Sequence, residues 1–201
     1  MHILLTDILT CPRCGPGFGL ILLADRAEER RVLEGVLGCS NCREKYPVRE
    51  GVADFGAPPE TVRPVEDGEA VERLAAILGV THGPGFLLLA GPVAAHAAGL
   101  AAMIPDVEVV TIGAAATAED GPGINRVYAA GPQLPIASGK VAGVALSGAA
   151  AETLLDEGAR AVSPVGRLVL DPAPADAAER LQRHGMRIVA QQESIAVAVR
   201  G

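Results

Sequence analysis

Four cysteines constrain the N-terminal part of this chain more than any other feature. They form two CxxC pairs, Cys11 with Cys14 and Cys39 with Cys42, and the rest of the chain contains none. Each CxxC bends the backbone so that two sulfurs face a common centre, and two such pairs complete the tetrahedral thiolate shell of a structural zinc site. Because four protein ligands leave no open position, we predict that these cysteines hold a structural zinc ion and not a catalytic one.

Two disulfides, or a redox-active CxxC, are the alternatives to zinc. Disulfides require export, but Asp7, Cys11 and Arg13 interrupt the apolar stretch that a signal peptide needs. A thioredoxin-type site uses one CxxC in a βαβ unit, whereas this chain has two matched pairs. The sequence therefore favours zinc and a cytoplasmic protein.

Composition narrows the classes of partner. With 201 residues, 49% of them hydrophobic, the chain can bury the core of one medium domain or two small ones. A net charge of −7 and an aromatic content of 2% argue against binding to a phosphate backbone or stacking on bases. The uncharged stretch 86–104 is interrupted by Gly91 and Pro92, so we expect a buried strand and an Ala-rich helix there and no membrane span.

The residues around the cysteines carry a resemblance. An apolar lead-in runs from Leu5 into Cys11-Pro12-x-Cys14, and the second pair is followed by Tyr46-Pro47-Val48-Arg49-x-Gly51-Val52. Residues 1–56 thereby resemble the zinc-ribbon family of methyltransferase activator subunits, tRNA methyltransferase activators and their short bacterial relatives. The resemblance implies a module that binds a class I methyltransferase by extending its sheet and that supports cofactor binding there.

The residues themselves predict the local structure of this module. The apolar run Leu20–Leu23 predicts a strand. The charged stretch Asp25–Arg31 predicts a solvated turn or short helix. Lys45–Asp54 alternates enough to be one strand, and Pro47 should keep it at a sheet edge. An edge strand can pair with a partner sheet, so we expect the ribbon to lie against the second module or a partner chain.

A proline-rich linker, residues 57–67, separates this zinc-ribbon domain from a second domain, residues 68–201. Asp67 is a candidate helix cap, Gly79 a candidate end of that helix, and Ala150–Val162 a second amphipathic helix. Apolar runs predict the following strands: Phe86–Leu89, Val107–Ile112, Arg126–Ala129, Val141–Leu146, Arg167–Leu170, Arg187–Ala190 and Ile195–Val199. We therefore predict an α/β fold with a doubly wound, mostly parallel Rossmann-like sheet that ends in an antiparallel hairpin.

This pattern resembles the class I S-adenosylmethionine-dependent methyltransferases over residues 68–200. The run Leu154–Leu170 is similar to the family's helix and turn before its fifth strand, and His184–Val199 is similar to its C-terminal hairpin. The resemblance implies a methyltransferase-like fold.

The same resemblance puts cofactor binding in doubt. Where the family has an acidic residue and a glycine-rich turn, this chain has Leu89, Gly91, Val93 and Ala95. Gly113 follows the second strand with no carboxylate near it, the stretch after the third strand, 128–131, also lacks an acid, and Glu119 and Asp120 should be solvated. Loss of three anchors at about 1–3 kcal/mol each, together with crowding by Val93 and Ala95, predicts no S-adenosylmethionine binding of the usual kind.

Other catalytic patterns are absent from the sequence: Ser147 has no nucleophile-elbow context, and His2, His82, His96 and His184 have no partner at a fixed spacing. Three hypotheses remain. The favoured one is a non-catalytic pseudo-methyltransferase that acts as a scaffold, a partner-binding protein or an activator-type subunit, with a protein partner, such as a methyltransferase, or a second copy bound through a sheet edge. The others are an active methyltransferase with its activator in cis, and an RNA- or ribosome-associated zinc protein.

Overall fold

The computed structural model describes residues 1–56, 60–61, 67–115, 121–129 and 131–201. The predicted linker, residues 57–67, falls largely outside this part of the chain, as do Glu119 and Asp120. We refer to residues 1–56 as the N-terminal module and to residues 68–201 as the C-terminal module, and the boundary between them stays a prediction.

The N-terminal module is an antiparallel run of four strands. These are β1 (Leu20–Glu28), β2 (Arg31–Cys39), β3 (Lys45–Arg49) and β4 (Val52–Asp54), and each pairs with the next. The strand predicted at Leu20–Leu23 is present and continues further. The charged stretch after it is solvent-exposed, but it forms the end of β1 and a tight turn at Glu29 and Arg30 instead of a helix.

The strand predicted over Lys45–Asp54 is a hairpin instead. Glu50 and Gly51 have φ values of 49° and 75°, and this left-handed turn folds β4 back on β3. As a result β3 lies between β2 and β4, so the edge position predicted from Pro47 is wrong. The sheet tolerates the proline because β4 pairs only with Val48 and Arg49, which leaves Pro47 outside that ladder.

The C-terminal module supplies the parallel part of the fold. Its main strands are β6 (Gly85–Ala90), β7 (Val107–Ile112), β9 (Ile124–Tyr128), β10 (Val141–Ser147), β11 (Val162–Asp171), β12 (Met186–Gln192) and β13 (Ile195–Arg200). The short strand β8 (Ala114–Ala115) pairs with β5 (Glu60–Thr61), which lies in the predicted linker. The helices are α1 (Gly68–Leu78), α2 (Ala97–Met103), α3 (Ala149–Thr153), α4 (Leu155–Ala161) and α5 (Ala177–Arg183).

Both predicted ends of α1 are confirmed, whereas the prediction of one continuous helix in the region of α3 and α4 is wrong. Asp67 accepts a hydrogen bond from the amide of Ala70 at 3.0 Å, and Gly79 ends α1 with a φ of 69°. In contrast, the single helix predicted over Ala150–Val162 is two helices that meet at Leu154, and Val162 already belongs to β11. The apolar stripe predicted for this helix is nevertheless buried at each of its positions, which are Ala151, Leu154, Leu155, Gly158, Ala159 and Val162.

The strands form one sheet in the order β1-β2-β3-β4-β9-β7-β6-β10-β11-β13-β12. Pairing is parallel from β4 through β11, and β13 runs antiparallel to both β11 and β12. This arrangement confirms the predicted mostly parallel sheet with a C-terminal antiparallel hairpin.

Alternate side chains of the parallel strands supply two cores. Leu87 and Leu89 face α1 and α2 in the smaller core, whereas Leu88 and Ala90 belong to the larger core with α4 and α5. The larger core also contains buried residues of the N-terminal module, among them Leu37. Within the described residues, no helix is long and apolar enough to cross a membrane.

The two modules are joined through their backbones. β4 pairs in parallel with β9, with Ala53 opposite Val127, so the N-terminal strands extend the C-terminal sheet. Ile8 and Thr10 add backbone hydrogen bonds to Ala137 and Pro135 at 2.8 and 2.9 Å. The prediction that the ribbon lies against the second module through the strand around Tyr46–Val52 or its neighbours is therefore confirmed, and within that region β4, from Val52 to Asp54, makes the pairing.

Candidate functional site

The two CxxC pairs adopt the same local turn. In the first, the amide of Gly15 donates to the carbonyl of Cys11 at 2.9 Å, and in the second, the amide of Arg43 donates to the carbonyl of Cys39 at 2.9 Å. Left-handed φ values at Gly15 and Arg43, 91° and 62°, close both turns. Each turn presents its two sulfurs on one side, as the spacing predicts.

The four sulfurs meet at one point between the turns. Cys11 and Cys42 are 3.7 Å apart at their Sγ atoms, Cys14 and Cys39 are 3.8 Å apart, and all four lie within 4.8 Å of one another. None is in a disulfide. A tetrahedron with zinc–sulfur bonds of about 2.3 Å has sulfur–sulfur distances of about 3.8 Å, so the cluster has the size that zinc requires.

The acid–base properties of the cluster also suit a cation. Hydrogen bonds from the backbone amides of Cys42 and Asn41 lower the pKa of Cys39 to about 7, against the effect of burial. The backbone amide of Glu44 lowers the pKa of Cys42, but burial and the neighbouring thiols outweigh it and raise that pKa to about 12. Four thiolates this close repel one another, so full ionisation needs a positive charge between them.

Two polar side chains contact the sulfurs from outside the cluster. The hydroxyl of Tyr46, on β3, lies 3.3 Å from Sγ of Cys11 in a buried position. Burial, together with that contact, raises the pKa of Tyr46 well above its ordinary value. The exposed Asn41 donates from Nδ2 to Sγ of Cys14 at 3.3 Å. The spacing of the cysteines does not reveal either contact, because each depends on how the hairpins pack.

A cleft of about 610 Å³ opens at the carboxyl ends of the parallel strands. This is the position where open α/β sheets bind ligands. The cleft is bordered by Ala90, Gly91, Pro92, Ile112, Gly113, Ala129, Gly131, Gln133, Leu134, Gly148, Ala149, Ala150, Thr153 and Leu154. No carboxylate or basic group occurs among these described residues.

The residues predicted to mark a degenerate cofactor loop are dispersed. Gly91 and Gly113 border the cleft, whereas Leu89 is fully buried in the smaller core. Val93 packs against that core as well, and Ala95 lies in the short 3₁₀ turn Pro92–His96 without bordering the cleft. Neither Val93 nor Ala95 borders the cleft, and the crowding of a cofactor by these two residues stays a prediction.

The turn after β6 is held by the protein itself. Gly91 has φ 81° and ψ −161°, a conformation open essentially to glycine alone, and a Cβ there would clash with the carbonyl of Ser147. The amide of Val93 donates to Oγ of Ser147 at 2.7 Å. These contacts fix the turn against β10 and give Ser147 a structural partner.

The structure adds side-chain groupings that the sequence does not predict. His184 has an acid partner after all, since its Nε2 lies 2.9 Å from Oδ1 of Asp156, and Arg180 binds the other oxygen at 2.7 Å. Separately, His96 and Ser147 border a small cavity of about 80 Å³. Gly131 and Gly148 at the cleft were missed too, although a glycine shortly after a buried strand is a usable signal.

Polar contacts also cross the seam between the modules. Arg31, at the start of β2, donates to the carbonyl of Ile124 at 2.7 Å and pairs with Glu108 at 3.2 Å. The fully buried Asn125 donates to the same carboxylate at 2.7 Å. The cis arrangement of the two modules is therefore held by side chains as well as by strand pairing.

Both modules are similar to known proteins. Residues 2–51 match the family described as Trm112p-like protein. The N-terminal module is a Trm112p-like zinc ribbon. The match covers the Trm112p-like ribbon only, and a search of curated proteins gives no match to the chain.

Solved structures resemble the C-terminal module and share its fold. Magnesium protoporphyrin IX methyltransferase from Synechocystis PCC 6803, with bound SAH, aligns with a TM-score of 0.51 at 17% identity over 67% of this chain and 83% of that one. A TehB-like SAM-dependent methyltransferase from Corynebacterium glutamicum aligns with a TM-score of 0.50 at 17% identity over 68% and 89%.

A methyltransferase from an antibiotic biosynthesis pathway of Anabaena variabilis aligns with a TM-score of 0.50 at 17% identity, over 62% of this chain. The alignment spans 64% of the Anabaena protein, which is less than two thirds of its length. The C-terminal module therefore has the methyltransferase fold, and the chain as a whole is a Trm112p-like ribbon fused to that fold.

Proposed function

We propose that this protein is a non-catalytic fusion in which the Trm112p-like ribbon stabilises its own methyltransferase-like module. One observation carries the proposal: β4 of the ribbon occupies the edge of the parallel sheet beside β9. A strand added to a sheet edge satisfies backbone groups that would otherwise remain open to a partner. Because this edge is filled within the chain, the ribbon acts in cis.

A structural zinc ion is part of this proposal. Cys11, Cys14, Cys39 and Cys42 supply four sulfurs at tetrahedral separations and leave no position for a substrate or water. Because a module of 56 residues has only a small core of its own, the metal would supply much of its folding free energy.

The residues that border the cleft support the proposal that the module is not catalytic. Cofactor binding of the usual kind uses carboxylates at strand ends, whereas the described border of the cleft consists of glycines, apolar residues and two uncharged polar residues, Gln133 and Thr153. The turn after β6 is already anchored by Gly91 and Ser147, so it needs no ligand to be ordered. Both features support a module that keeps the methyltransferase-like fold without binding the cofactor.

Titration with S-adenosylmethionine and S-adenosylhomocysteine tests this part of the proposal. By isothermal titration of the zinc-loaded full chain, we expect no dissociation constant below about 1 mM, equivalent to a binding free energy weaker than about −4 kcal/mol. A micromolar constant for either compound would contradict it and favour the enzyme.

An active methyltransferase is the second candidate, and one feature of the cleft favours it. Four glycines with positive φ border it: Gly91, Gly113, Gly131 and Gly148. Such positions let a backbone approach a ligand closely. If the titration gives micromolar binding, Gly113→Val should abolish it, while Gly17→Ala, at an exposed site with open space around it, should leave it unchanged.

For the partner, we propose a second copy bound through β1. This strand lies at the outer end of the sheet, and Ile21 and Leu23 are 59% and 64% exposed on one face of it. Antiparallel pairing of two β1 strands about Leu22 would place Ile21 of each copy opposite Leu23 of the other, which is a self-complementary contact.

Sedimentation over a range of protein concentrations tests this surface. We expect a concentration-dependent dimer that Leu23→Lys abolishes, because a charge on an edge strand opposes pairing. Val189→Lys, at a 45% exposed position on the opposite edge strand β12, is the matched control and should leave the dimer intact. A monomer at all concentrations, or a dimer lost only with Val189→Lys, would contradict the proposal.

A further inference from the structure

Tyr46 connects the cysteine cluster to the body of the sheet. Its hydroxyl lies 3.3 Å from Sγ of Cys11, and the side chain is buried, with 9% exposure. A metal-bound cysteine sulfur carries no proton, so in the zinc-loaded protein the tyrosine hydroxyl is the donor of this hydrogen bond. The residue therefore contacts a metal ligand with one end of its side chain.

The ring of Tyr46 contacts the seam between the modules. It packs against the ring of Phe55 with a centroid distance of 4.8 Å and an interplanar angle of 51°. The backbone amide of Phe55 in turn donates to the carbonyl of Tyr128 at 2.8 Å, at the end of β9. The next residue, Ala129, borders the cleft.

These contacts form a continuous path of short steps. It runs from the cysteine cluster through a hydroxyl, two packed rings and one backbone hydrogen bond to the strand end beside the cleft. The side chain of Asn41, which also donates to a cysteine sulfur, is exposed, so it offers no such path.

We propose that Tyr46 is a positioning residue that couples zinc binding in the ribbon to the order of the cleft edge at Tyr128. Its hydroxyl stabilises the Cys11 thiolate on the metal, and its ring holds Phe55 so that the Phe55 amide fixes the end of β9. This inference rests on the zinc site proposed above.

The first experiment measures zinc affinity of the full chain by competition with a chelator. Tyr46→Phe removes only the hydroxyl, and we expect the affinity to fall about tenfold, the lower end of the range for outer partners of metal ligands. Thr81→Val removes an exposed hydroxyl that takes no part in this path and should leave the affinity unchanged. Equal affinities for Tyr46→Phe and the wild type would overturn the role of the hydroxyl.

The second experiment measures amide hydrogen exchange at position 55 with zinc at saturation. In Phe55→Leu the ring contact is reduced while the hydroxyl and the cluster remain, so we expect near wild-type zinc affinity but about tenfold lower protection of this amide. Protection equal to the wild type in that variant would overturn the path through Phe55.

The wild-type protein gives a readout that needs no variant. After substitution of zinc by ¹¹³Cd, the Tyr46 hydroxyl proton should give a slowly exchanging resonance that a proton exposed to water would not, and its absence would overturn the donor assignment. A wild-type chain that binds no zinc would overturn the proposed metal site together with this inference. A chain that binds zinc with no effect of Tyr46→Phe would overturn the inference alone.

Discussion

In the proposed zinc site, protons and the metal ion would compete for the sulfur of Cys42. In the metal-free cluster, burial and three neighbouring thiols hold its pKa at about 12 despite the amide of Glu44, whereas the pKa of Cys39 is about 7. We therefore expect zinc binding to four thiolates to release the Cys42 proton at neutral pH, and at lower pH the Cys39 proton as well.

This proton release makes zinc affinity depend on pH, with tighter binding at higher pH. We expect the apparent affinity to rise at least about tenfold per pH unit between pH 7 and 9, and more steeply below pH 7. Chelator competition, corrected for the chelator's own protonation, measures it. Ser40→Ala, between the ligands but exposed, is the control and should follow the wild type. A flat profile between pH 7 and 9 would contradict a cluster that binds zinc as four thiolates.

Gly91 is a second residue whose chemistry is set by its surroundings. Its φ of 81° and ψ of −161° suit glycine, and a Cβ would meet the carbonyl of Ser147. We expect Gly91→Ala to lower the free energy of unfolding by about 3 kcal/mol. Gly131→Ala, with a φ of 86° but open space around it, should cost only about 1 kcal/mol. Urea unfolding measures both, and equal losses would show that backbone strain alone, without the clash, sets the cost.

Among the elements, α4 and α5 are tied by one carboxylate. Asp156 accepts from Arg180 at 2.7 Å and lies 2.9 Å from Nε2 of His184. Burial alone would raise the pKa of Asp156, but the hydrogen bonds from these two residues outweigh it and lower the pKa below its ordinary value. A lowered carboxyl pKa contributes stability at pH values above the unfolded-state pKa, and that contribution disappears as the pH falls through the folded-state pKa.

Because the pKa of Asp156 is lowered, Asp156→Asn should reduce the free energy of unfolding at neutral pH. At pH 7 the variant should lose about 1 kcal/mol of unfolding free energy, since the carboxylate is partly exposed and solvent screens the pair. The difference from the wild type should shrink as the pH falls below about 4. Asp176→Asn removes a longer contact of 3.8 Å with the same arginine and should cost less at pH 7. A difference that persists unchanged to pH 2 would exclude the charge as its origin.

Helices and strands whose ends depend on residues close by in the sequence were predictable. The caps of α1 and the buried strands β6, β7 and β10 depend on Asp67, Gly79 and continuous apolar runs, and the structure has them. The convergence of the four cysteines follows in the same way from spacing.

Features that depend on contacts between distant segments were not predictable. The turn at Glu50 and Gly51 forms because β4 pairs with β9, a strand more than 70 residues away in sequence. The break at Leu154 and the placement of Val93 in the smaller core likewise reflect packing on the sheet. Of the residues that border the cleft, Gly91 and Gly113 were anticipated, and Gly131 and Gly148 could have been, because each follows a buried strand. The other bordering residues come from separate segments of the chain, and no local pattern brings them together.

At the scale of the whole molecule, the two modules share one sheet and the larger of the two cores. Leu37 of the ribbon and Val127 of the C-terminal module belong to the same buried cluster, and β4 and β9 share a backbone ladder. Arg31 adds a half-buried pair with Glu108 across the seam. Neither module can then unfold without exposing apolar surface and strand edges of the other, which is the condition for a single cooperative transition.

The chain supplies separate probes for the two modules. It has no tryptophan and two tyrosines, Tyr46 in the ribbon and Tyr128 in β9, and every α-helix of the described residues lies in the C-terminal module. In Tyr128→Phe, tyrosine fluorescence therefore reports the ribbon, and circular dichroism at 222 nm reports the C-terminal module. With zinc bound, we expect the two urea transitions to coincide.

Arg31→Ala tests the coupling directly. Loss of this side chain removes one partner of Glu108 and leaves its hydrogen bond with Asn125, and it should shift both transitions together, by about 1–2 kcal/mol. Arg49→Ala, whose side chain is 72% exposed, is the matched control and should move neither by more than about 0.5 kcal/mol. If the ribbon unfolded at lower urea than the helices in Tyr128→Phe, or if Arg31→Ala shifted the fluorescence transition alone, the modules would be neighbours in one sheet without folding as one unit.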